Sequence, residues 1–173
     1  TILVDADAST ASTMAISIAG VTEYETSIIN VSGGSGLAST QSVIGGGFAD
    51  TITFEITDTL SVSDTVTGGA GTDILKITDT AGVDADFTNV TTIETLKVGA
   101  SYVGVLAAQA QEAGITAVIV TAAGTSSIDA SAMTTALTAF VASSQPYFVI
   151  NVNPATIFVD AATGFTRTYH QSS

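Results

Sequence analysis

Residues 68–76 read GGAGTDILK. Glycines at 68, 69 and 71, an aspartate at 73 and a large aliphatic residue at 75 fill the frame Gly-Gly-x-Gly-x-Asp-x-U-x without a mismatch. In such a turn the glycines permit backbone angles that aim carbonyls inward, and the aspartate adds a carboxylate to the same cup. The same residues also suit a plain hairpin turn in which Asp73 caps its own backbone. Which of these holds decides how the rest of the chain is read.

A weaker copy of the frame lies upstream. Residues 45–53, GGGFADTIT, place Asp50 in the aspartate position and Ile52 in the aliphatic one, with Phe48 where the later glycine stands. Around both copies run short stretches of β-branched residues alternating with small polar ones: TITFEITDT, DILKITDT, ETLKV, ITAVIVTA and YFVINV. That pattern is the signature of strands. Two stretches depart from it. Residues 101–114, SYVGVLAAQAQEAG, place Tyr102, Val105, Leu106, Ala110 and Ala113 on one helical stripe, with Ser101 as N-cap and Gly114 just past the end. Residues 131–143, SAMTTALTAFVAS, suit a second helix, a strand or a solenoid rung equally well. The expectation is a mainly β chain, solenoid-like or sandwich-like, with one or two short helices. It forms a single β-rich domain over residues 1–173, and a boundary near residue 100 stays open without a sharp change of composition there.

Composition narrows the function. Only 11% of the 173 residues are charged, and 16 acids face three bases, Lys76, Lys97 and Arg167, for a net charge of −13. Nucleic acid and anionic membranes both require a basic face, so neither is an expected partner. A cation is. No apolar run approaches the roughly 18 residues that cross a bilayer, so membrane insertion is not expected. The start, TILVDADAST, carries acids where a secretory signal carries bases. Zero cysteines exclude disulfides and thiolate metal sites.

Catalytic chemistry finds little material. The one histidine, His170, lies in RTYHQSS close to the C-terminus, where a triad or a metal site would rest on a fraying segment. Paired carboxylates can hydrolyse glycosides, but the chain has no Trp to form a sugar platform. No Gly-Lys-Ser/Thr follows GGAG, which removes the phosphate-loop reading. The chain is therefore expected not to be an enzyme. Among the remaining acids, Asp84 and Asp86 in GVDADFTN fall on one face if that stretch is extended, and they can form or complete an oxygen site, although a solvated loop explains them as well. Asp58, Asp64 and Asp79, and the pairs Asp5/Asp7 and Glu23/Glu25, are assigned to solvent.

GGAGTDILK and GGGFADTIT resemble the repeats of RTX-type calcium-binding β-roll proteins. The wider texture of VTGGAGTDILKITDT, FTNVTTIETLKV and AGITAVIVTAAGTSSIDAS is similar to bacterial surface-layer proteins and adhesins that carry such repeats. The resemblance implies calcium-dependent folding outside the cell, parallel rungs and no catalysis. It also implies Gly69, Gly71 and Asp73 as calcium ligands, with Asp50 from the weaker turn, and Leu75 and Ile52 as core residues. Those families stack tandem nonapeptides, whereas Asp50 and Asp73 are separated by more than two repeats, so whether the two turns stack is left open. The functional expectation is an extracellular structural or adhesive protein, calcium-stabilised, that assembles on a cell surface with itself or with other structural proteins of the same assembly. A virion component, such as a capsid decoration or fibre protein, is the alternative, and a carbohydrate-binding module a more distant one.

Overall fold

A computed structural model describes residues 2–8, 13–21, 26–33, 40–55, 60–121, 124–141, 147–152 and 166–171. Glu23, Glu25 and Asp58 lie outside the described residues, as do positions 142 and 143 of the ambiguous second stretch.

Seven strands form the first sheet in chain order: β1 (Ile2–Ala8), β3 (Thr26–Gly33), β5 (Ala49–Phe54), β7 (Ile74–Ile77), β10 (Thr95–Val98), β12 (Ala117–Val120) and β14 (Thr138–Val141). Between them the chain returns through other strands. β2 (Thr13–Ser17), β4 (Thr40–Ile44), β6 (Thr65–Thr67) and β9 (Val90–Thr91) make a second sheet beside the first half. β8 (Ala81–Gly82), β11 (Val103–Val105), β13 (Thr125–Ala130), β15 (Tyr147–Val152) and β16 (Thr166–Gln171) make a third beside the second half. All pairings among the described residues are parallel, so each pass adds one coil to a β-solenoid. The solenoid expectation holds and the sandwich does not, because among the described residues no strand pairs with an antiparallel neighbour.

Local alternation explains why these strands coil. Every second residue points inward, and residues in register stack on their equivalents one coil away. Ile29, Ile52, Leu75, Leu96, Val118 and Ala139 form one such row across the first sheet, and all six are fully buried. Phe54, Ile77, Val98 and Val120 form the adjacent row. Burying one such side chain contributes roughly 1.5–3 kcal/mol, so the rows supply the main force that closes each coil onto the next. Leu75 and Ile52 are core residues, as the nonapeptide frame implied.

Two expectations are corrected, and one left open is resolved. The helical stripe over 101–114 shrinks to α1 (Ala108–Ala113), because Val103–Val105 pairs with β8 on one side and β13 on the other. Ser101 sits in a turn with φ 59° and is not the N-cap, whereas Gly114 ends the helix in the left-handed region at φ 102°, as expected. The alternatives left open over 131–143 resolve to the strand: the described part is a turn followed by β14, with Met133 and Leu137 packed inward. His170 belongs to β16, in register with Asn151, and not to a frayed end. The first sheet passes residue 100 without a break, and so does the third, from β8 to β11. α1 takes the place of a further rung beyond β9, which it packs against, and the Ile93 N–H donates to the Ala113 carbonyl at 3.0 Å.

Candidate metal centre

The two glycine turns stack. Gly45 N–H donates to Thr67 O at 2.8 Å, Gly68 N–H to Thr91 O at 3.0 Å, and Ala70 N–H to Gly46 O at 3.1 Å. Close packing of turn on turn is what demands glycine. Gly69 and Gly71 have φ values of 109° and 130°, and a Cβ on Gly71 would stand 2.6 Å from the Phe48 carbonyl carbon. The spacing that separated the two aspartates is the length of one coil, so it places them in line instead of apart.

At the head of the first sheet's strands this register makes a column of Ser27, Asp50, Asp73 and Glu94. Each acid accepts from the coil before it. The Ser27 hydroxyl donates to Asp50 Oδ1, Asp50 N–H donates to Asp73 Oδ1 at 2.7 Å, and Asp73 N–H donates to a Glu94 carboxylate oxygen at 2.7 Å. Asp50 Oδ2 is taken as well, by Gly46 N–H at 2.5 Å. The equivalent donor one coil on is Gly69 N–H, but it goes to Thr92 Oγ1 at 2.8 Å. Thr92 holds that position at φ 52°, an uncommon conformation for a β-branched residue. Asp73 Oδ2 is left buried without a hydrogen-bond partner.

Electrostatics follow from that orphan oxygen. Burial pushes the Asp73 carboxyl from its ordinary 3.8 to about 6, against the Asp50 N–H, with the charges of Asp50 and Glu94 pushing further up. Of the four residues expected as ligands, Gly69 and Gly71 shape the turn, Asp50 has both oxygens committed to its own coil and the one before, and Asp73 has an oxygen to spare.

Asp84 and Asp86 do not share a strand face, because Asp84–Phe87 is a turn of 3-10 helix. The Asp84 carboxylate reaches one coil onward and accepts the N–H groups of Ala107, Gln109 and Ala110 at 2.6, 3.0 and 3.0 Å. It caps α1 from outside, satisfying amides that have no partner within the helix. Asp86 instead accepts Val83 N–H at 2.8 Å. Asp64 and Asp79, expected in solvent, are buried, and Asp64 accepts Gln41 N–H at 2.8 Å and Ser61 N–H at 2.8 Å. Glu94 was not singled out from the sequence, although a signal for it existed: DTITF, DILKI and ETLKV each begin with an acid and recur one coil apart.

Among the described residues no three His, Cys, Asp or Glu side chains converge as a metal-binding group. An ion at the glycine turn would therefore take Asp73 Oδ2 together with carbonyl and water oxygens, a donor set that suits calcium. Among the same residues no helix is long and apolar enough to cross a membrane. No family model matches the chain, and neither a curated protein nor a solved structure matches it.

Proposed function

We propose that this chain is a non-enzymatic structural or adhesive module that works outside the cell, stabilised by calcium and assembling on a cell surface with copies of itself or with similar proteins. The observation that carries the reading is the continuous stack of parallel coils. β1 and β14 each pair with one strand of the first sheet, and β16 with one strand of the third, so among the described residues the stack presents strand edges at its two ends. Such edges accept further strands, and end-to-end addition of a repeating coil yields a filament or lattice.

Calcium enters through Asp73. An ion on Oδ2 supplies the partner that this buried oxygen lacks and offsets the mutual repulsion of Asp50, Asp73 and Glu94. Extracellular calcium sites have Kd values of about 10⁻⁴–10⁻³ M, so one site at millimolar calcium adds about 0.4–1.4 kcal/mol. That is enough to bias assembly without being the main source of stability. Light scattering on the size-fractionated protein, over rising concentration in calcium and in chelator, tests the reading. Growth of the particle mass in calcium is expected, and a strict monomer in both conditions would overturn it.

A further inference from the structure

Asp79 follows β7 at the end opposite Asp73 and is buried, yet no described residue donates a hydrogen bond to its carboxylate. Asp86 stands close to it, with Oδ2 held by Val83 N–H at 2.8 Å. Between the coils lies Tyr102, fully buried, whose hydroxyl has no hydrogen-bond partner. That hydroxyl is pressed against Gly82, where a Cβ would stand 2.2 Å away, one residue from the Val83 amide that holds Asp86. The phenol oxygen therefore lies against the segment 79–86 that carries both acids. A buried hydroxyl without a partner is rare in a folded protein, and here two acids flank it, Asp79 buried and Asp86 half-buried.

We propose that Asp79, Asp86 and the Tyr102 hydroxyl form a cation site of the hard, oxygen-ligated class that takes calcium and the lanthanides. Two carboxylates match the charge of a divalent ion, and the neutral phenol oxygen adds a third donor. Asp86 enters with Asp79 and Tyr102, not with Asp84, whose oxygens are committed to α1. The protonation behaviour agrees: burial and then the Asp86 charge push the Asp79 carboxyl up, burial chiefly and also the Asp64 charge push Asp86 up, and both acids raise Tyr102 beyond what burial does. A cation relieves all of these at once. This site does not depend on the turn at Asp73, which lies across β7 from it.

The chain has no Trp and four Tyr, so terbium luminescence excited through tyrosine reports an ion bound beside a phenol. Titration of the folded protein with terbium is expected to give a saturable step that calcium reverses. Asp79→Asn and Asp86→Asn should each weaken that step by about tenfold or more. Tyr102→Phe should abolish the sensitised emission, and Asp73→Asn should leave it intact. Far-ultraviolet circular dichroism checks that each variant is folded, and the two aspartate variants cover for one another if one is not. Emission that rises without saturating and equally in all variants marks scattered surface carboxylates and overturns the proposal. So does a step that survives Asp79→Asn and Asp86→Asn, or one that only Asp73→Asn removes.

Discussion

Replacing Asp73 with Asn tests the column of acids at its weakest point. The substitution keeps an oxygen for the Asp50 N–H and removes the charge from the buried position whose Oδ2 lacks a partner. In the folded chain the Asp73 carboxyl titrates at about 6, against 3.8 when unfolded, so the native state binds this proton more tightly. For a raised pKa the stabilising contribution is complete below about pH 4, fades as pH rises through about 6, and is gone above it. The difference corresponds to about 3 kcal/mol. Urea unfolding in chelator, followed by circular dichroism at pH values from about 4 to about 8, measures it directly. The stability of Asp73→Asn relative to wild type should climb by up to about 3 kcal/mol across that range, whatever its offset at the acid end. Thr92→Ala provides the complementary arm, because it frees the Gly69 N–H to reach Asp73 Oδ2 and should move the wild-type transition to lower pH. A difference between Asp73→Asn and wild type that stays flat within about 0.5 kcal/mol over the whole range would refute the reasoning.

Leu75→Ala empties a position between Ile52 and Leu96 in the central row and should cost about 2–5 kcal/mol in the same unfolding assay. Gly71→Ala forces a Cβ into the Phe48 carbonyl at a φ of 130°, so it should destabilise by more than about 2 kcal/mol. Gly99→Ala, whose nearest neighbour would be Thr78 O at 3.5 Å, should stay within about 0.5 kcal/mol. Asp84→Ala removes the carboxylate that holds the first amides of α1, with an expected cost of about 0.5–2 kcal/mol and faster hydrogen exchange confined to residues 107–113.

Much of the fold was legible in short windows, because alternation is a local property. The strands at DILKI, ETLKV and AVIV and the stop at Gly114 follow from a few adjacent residues, while the core roles of Leu75 and Ile52 came from the resemblance of their turns to the nonapeptide repeats. The choice between solenoid and sandwich was not local. It depends on Ser27, Asp50, Asp73 and Glu94 falling in register one coil apart, and that recurrence is spread over stretches that differ in length and keep only an acid and an aliphatic pattern in common. The helix over 101–114 was overdrawn for the same reason. Tyr102, Val105 and Leu106 sit at helical spacing, but β8 and β13 offer the backbone of Val103–Val105 parallel partners, and tertiary pairing wins. Asp84 looked like half of a metal pair because its real partners, the amides at the start of α1, lie more than twenty residues downstream. Asp79 looked solvated because nothing adjacent to it announces that Tyr102 folds over Gly82 beside it.

Whether the coils of one molecule continue into the next decides whether this solenoid is a building block. Fibre diffraction or electron cryo-microscopy of the material assembled in millimolar calcium measures this, since stacked parallel coils place strands across the long axis and give a reflection near 4.7–4.8 Å along it. Filaments or sheets with that axial spacing, dispersing in chelator, are the expected result. Particles of single-chain size in calcium, or assemblies whose strands run along the long axis, would contradict the claim that this solenoid is a building block.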